Sequence, residues 1–68
     1  MNEDTLNMEI RKYLKKVGVT SQREIEHAVQ KAVADGQLAG RTRIRVKMVL
    51  EAPELGLTHC IEDTIALE

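Results

Sequence analysis

The sequence has very few residues that form cross-links or stacking platforms. It contains one cysteine (Cys60), one aromatic residue (Tyr13) and one proline (Pro53) in 68 residues. A single cysteine excludes an internal disulfide, and no spacing of cysteine and histidine matches a zinc site. One aromatic ring argues against a platform for stacked bases or sugars. We therefore expect no metal and no cofactor.

Long hydrophobic runs and an excess of one charge sign are also missing. The longest apolar runs are far too short to span a bilayer, and the acidic start (Glu3, Asp4) differs from the basic start of a signal peptide. The net charge of −1 gives no overall attraction to nucleic acid or to anionic membranes. With a lone Cys60 in addition, we expect a cytoplasmic protein with no membrane partner.

The length predicts one domain, residues 1–68, with little stability to spare. Surface scaling predicts that a chain of 7.7 kDa buries only ~60% of its unfolded surface. The burial term and the entropy of ordering the chain then nearly cancel. Self-association is a natural way to bury more apolar surface.

The clearest pattern is the alternation of apolar and charged residues in TRIRVKMVLEA, residues 42–52. A period of two predicts a strand with one apolar and one solvated face. Pro53 and Gly56 predict a turn over 53–56, which leads into a second strand over 57–67. This register places Leu50 opposite His59 and Lys47 opposite Glu62. It also places Asp63 on the apolar face, so a bulge near Glu62–Asp63 is predicted.

The first part of the chain repeats apolar residues with a helical period. Leu6, Ile10, Leu14 and Val17 predict a helix over 4–17, which Gly18 ends. Ser21-Gln-Arg-Glu24 has the form of a capping box and predicts a second helix over 21–35. On that interpretation, Ser21→Ala costs about 1 kcal/mol.

The predicted fold class is α+β, in the order α-α-β-β. Two N-terminal helices pack on one face of a C-terminal antiparallel β-hairpin. The predicted core consists of Leu6, Ile10, Leu14, Val17, Ile25, Val29, Val33, Ile44, Val46, Met48, Leu50, Ile61 and Ile65.

No pattern of residues predicts catalysis. His59 and Cys60 are neighbours on a strand and point to opposite faces, so they cannot form a nucleophile–base pair. We expect Cys60 to pack beside Val49 as a small apolar residue and His59 to lie beside Leu50. No phosphate-binding loop or nucleophile elbow is present. The expectation is that the protein is not an enzyme.

A row of basic residues supports one alternative function. Arg41, Arg43, Arg45 and Lys47 lie on the solvated side of the first strand and could contact phosphates, as in the hairpin of a winged helix. Glu24 and Glu26 at the start of the second helix would repel phosphates, and no third helix completes that motif. We expect this row instead to keep the sheet soluble.

The segments NEDTLNMEIRKYLKKVG and TSQREIEHAV resemble a family of small bacterial proteins of unknown function, of about this length. Within them Thr20–Glu26 is the most specific part. The resemblance implies no activity, cofactor or site residue. The sequence therefore predicts a small cytoplasmic interaction module without catalysis, paired with itself as a homodimer or with another protein, and weak nucleic-acid binding is the alternative.

Overall fold

A computed structural model describes all residues, 1–68. It contains one helix, α1 (Glu3–Ala34), followed by strand β1 (Arg43–Ala52), a 3₁₀ turn (Pro53–Leu55) and strand β2 (Leu57–Ala66). The α+β class and the antiparallel hairpin agree with the sequence analysis, but the prediction of two helices is wrong. The chain divides into two compact units, residues 1–38 and 39–68.

The helix continues through residues 18–20, where a turn was predicted. Nothing in that segment forbids helix: Gly18 costs only about 1 kcal/mol relative to alanine, and no proline is present. The Thr20 Oγ1 hydroxyl donates to the Lys16 carbonyl at 2.8 Å, as threonine does inside helices. The apolar face also stays in phase, because Val17, Ser21 and Ile25 follow at four-residue steps. Ser21 is thus an interior residue and does not cap a second helix.

Both ends of α1 are closed by specific hydrogen bonds. At the start, Asn2 Oδ1 accepts from the Thr5 backbone N–H at 3.0 Å, so Asn2 is the N-cap. At the end, the Gln37 N–H donates to the Ala32 carbonyl at 2.9 Å and the Gly36 N–H donates to the Val33 carbonyl at 3.1 Å. These two hydrogen bonds form a Schellman motif, and Gly36 takes the left-handed φ of 75° that the motif requires. At 32 residues, α1 is about 48 Å long.

The hairpin has the predicted register over its whole length. Leu50 pairs with His59, Lys47 with Glu62 and Val46 with Asp63. The predicted bulge is absent, because pairing is regular through Asp63. Its carboxylate is exposed and accepts from the Thr64 N–H at 2.7 Å, so the side chain remains in water and no bulge is needed to remove it.

No residue of the chain is buried, which contradicts the predicted core. Within residues 1–38 α1 has no second helix to fold against, and its side chains are half-buried or exposed. In α1 the half-buried side chains include Val17, Ile25 and Val29. In the hairpin they lie on one face: Ile44, Val46, Leu50, Ala52 and Ile65.

Two glycine substitutions test the continuity of α1. We expect Gly18→Ala to raise the free energy of unfolding by about 1 kcal/mol, because alanine favours helix and its Cβ would meet no atom within 4 Å. Gly36→Ala is the matched control and should lower it by about 1 kcal/mol, since φ there is 75°. Urea denaturation followed by circular dichroism measures both. A loss of stability in Gly18→Ala would indicate a turn at that residue.

Two capping substitutions test where α1 begins. Asn2→Ala should lower the free energy of unfolding by about 1 kcal/mol, since it removes the bond to the Thr5 N–H. Ser21→Ala should leave stability unchanged or raise it slightly, because alanine is the better residue in a helix interior. If Ser21→Ala lowered the free energy of unfolding more than Asn2→Ala does, a second helix would begin near Ser21.

Candidate functional site

The hairpin has a charged face that carries three of the four basic residues singled out in the sequence. Arg43, Arg45 and Lys47 alternate along β1 and therefore point to the same side of the sheet. Arg41 precedes the strand. We call the residues of this side the basic face: Arg43, Arg45, Lys47, Val49 and Glu51 of β1 with Thr58, Cys60, Glu62, Thr64 and Ala66 of β2.

Acidic side chains reduce the positive charge of the basic face. Glu62 Oε2 lies 3.8 Å from an Arg45 guanidinium nitrogen, and its Oε1 lies 3.9 Å from Lys47 Nζ. All three side chains are more than half exposed, so these ion pairs add little stability. They do lower the field that a phosphate would meet. A shallow depression beside them, lined by Arg45, Val46, Lys47 and Glu62, is open to solvent.

His59 and Cys60 take the positions that the register predicted. Cys60 pairs with Val49 on the basic face, and His59 pairs with Leu50 on the opposite face. The Cys60 thiol is free and exposed, not enclosed by apolar neighbours. No group of three or more histidine, cysteine, aspartate or glutamate side chains is placed to hold a metal ion.

Helix α1 carries an apolar surface, most of which the sequence analysis assigned to the core. We call it the helix stripe: Leu6, Ile10, Tyr13, Leu14, Val17, Ile25, Ala28, Val29 and Ala32, one side of a single helix. Leu6, Ile10, Tyr13 and Leu14 are 44% to 54% exposed. The signal for one continuous stripe was its unbroken phase across residues 17–25.

The helix stripe does not make α1 a membrane span. No helix of the chain combines the length and the apolar composition needed to cross a bilayer.

Comparison with known protein families gives a match over the whole chain. The model of DUF6494, a family of unknown function, matches residues 1–68. The resemblance to a family of unknown function is thereby confirmed over the whole chain. No curated protein and no solved structure matches.

Proposed function

The chain belongs to the DUF6494 family, and since that family has no assigned function, we propose from its own surfaces that it is a non-catalytic interaction module that pairs with a second copy of itself. The proposal depends on one observation. No residue is buried, while large apolar side chains in both units are exposed by two-fifths or more. Association supplies the burial that each unit lacks by itself.

Neither unit is expected to be a stable folded structure by itself in water. An isolated helix gains most of its stability from packing of an apolar face, and an isolated two-stranded hairpin is marginal. Both edges of the sheet are also unpaired, because the sheet contains only β1 and β2. The apolar surfaces therefore favour a partner over a free monomer.

The exposed area supports a partner of the chain's own size. Leu6, Ile10, Tyr13 and Leu14 of α1 are 44% to 54% exposed, and at 32 residues the helix is about 48 Å long. A second α1 has the same length and the same apolar side, so it can cover these side chains from end to end. A homodimer covers such a surface with no further component.

We place this module in the cytoplasm. Its support is the free, exposed thiol of Cys60. A reducing compartment keeps such a thiol from forming random disulfides.

The mass in solution tests self-association. Size-exclusion chromatography with light scattering, at ~150 mM salt and in the presence of reductant, should give a species of twice the 7.7 kDa chain mass. We expect the same mass for Cys60→Ser, because the association does not use a disulfide. A species of single-chain mass at ~100 μM, well above the ~1 μM dissociation constant that corresponds to a binding free energy of about −8 kcal/mol, would refute the proposal.

Nucleic-acid binding is the second candidate, because Arg43, Arg45 and Lys47 share one exposed face. Phosphate contacts need only such a row of cations. Glu62 pairs with two of them and Glu51 lies on the same face, so the positive charge is small. The net charge of −1 adds no attraction from the rest of the chain.

Fluorescence anisotropy with a labelled duplex and a labelled single strand tests this candidate. We expect no complex tighter than ~100 μM at ~150 mM salt, the weak end of non-specific binding. Glu62→Gln should leave this unchanged, as should Glu54→Gln, which removes the same charge from the turn. A micromolar complex that weakens with salt, tightens in Glu62→Gln alone and is lost in Arg45→Glu would replace self-association as the leading function.

A further inference from the structure

We propose that two copies of the chain pair through α1 in antiparallel orientation, with each helix stripe packed on the other and the midpoint near Val19. This deepens the proposed function, because it names the surface through which the module self-associates. It rests on three properties of α1: the period of the stripe, the sizes of its side chains and the order of its charges.

The helix stripe repeats every eleven residues. Leu6, Val17 and Ala28 are eleven apart, and so are Leu14 and Ile25. Eleven residues in three turns give 3.67 residues per turn, close to the ~3.6 of a straight helix. The stripe therefore runs almost parallel to the helix axis for the length of α1. Two such helices can stay in contact over many turns.

Side-chain size changes along the stripe from bulky to small. Leu6 and Ile10 lie in the first half, and Ala28 and Ala32 lie in the second. In the antiparallel pair Leu6 faces Ala32 of the second copy and Ile10 faces Ala28, so a large residue meets a small one at these two levels, while Tyr13 faces Ile25 nearer the middle. Such alternation fills the space between two helices evenly. In a parallel pair bulky residues meet bulky ones at one end, and alanines leave gaps at the other.

The charges of α1 also favour the antiparallel pair. The segment 11–16 carries Arg11, Lys12, Lys15 and Lys16, whereas the segment 22–27 contains Arg23, Glu24 and Glu26. A parallel pair places the basic segment beside its own copy, which is repulsive. The antiparallel pair places it level with the net-acidic segment of the second copy, and the two helix dipoles oppose each other favourably.

One flank of the stripe is complementary to itself. Glu9, Lys16, Glu24 and Lys31 follow one another along it at seven- or eight-residue steps. In an antiparallel two-fold pair the same flank of both copies meets. Glu9 then lies near Lys31 of the second copy, and Lys16 near its Glu24. Each acid meets a base.

Disulfide trapping tests the orientation and the register together. In a Cys60→Ser background, Ile10→Cys and Ala28→Cys chains are mixed, exchanged by unfolding and refolding, and oxidised in a glutathione buffer. The two substituted residues lie level in the antiparallel pair, so a covalent heterodimer should form. Either chain oxidised alone should form no covalent dimer, because the two identical cysteine positions of the pair lie about 27 Å apart along the helix axis.

Met8→Cys mixed with Gln30→Cys is the matched control. These residues lie level as well, but on the side of α1 away from the stripe, and they should not cross-link. A covalent dimer of Ile10→Cys alone would indicate parallel helices and overturn the inference. A dimeric mass without cross-linking of the Ile10→Cys and Ala28→Cys pair would also overturn it, and would favour joining of sheet edges. A single-chain mass would refute the proposed function itself.

Discussion

The unbroken backbone hydrogen bonding of α1 determines what the rest of the molecule can do. A helix 32 residues long that does not turn has its apolar side chains along one stripe and cannot cover them with itself. An αα-hairpin would have buried the same residues inside one chain. Because α1 continues through Gly18 and Thr20, residues that were predicted to form a core lie on the surface of the helix instead. The proposed self-association through α1 follows from this exposed surface.

The hairpin, like α1, has an apolar face that its own residues do not cover. Its regular register separates an apolar face, with Ile44, Val46 and Leu50, from the basic face. Two strands are too few to enclose either face, so even Asp63 remains exposed beside apolar neighbours. The ion pairs of Glu62 with Arg45 and Lys47 reduce the positive charge of the basic face.

The hairpin could be predicted in detail from the sequence, because a period of two and a Pro-Gly turn leave few registers open. The pairing of Lys47 with Glu62 follows from them directly. The single long helix could not be predicted in the same way, because Gly18 and the Ser21–Glu24 spacing are local signals that also occur inside helices. The phase from Val17 through Ser21 to Ile25 was the better guide. The bulge at Asp63 was predicted only because a covered apolar face was assumed.

We propose that this chain completes its fold by association, and the concentration dependence of its thermal unfolding is a direct test. A fold coupled to dimerisation has a midpoint that rises with protein concentration, since mass action favours the associated state. Circular dichroism at 222 nm follows the loss of α1 as samples of ~2 μM and ~200 μM are heated. We expect a midpoint several degrees higher in the concentrated sample. The same cooperative midpoint at both concentrations would contradict it.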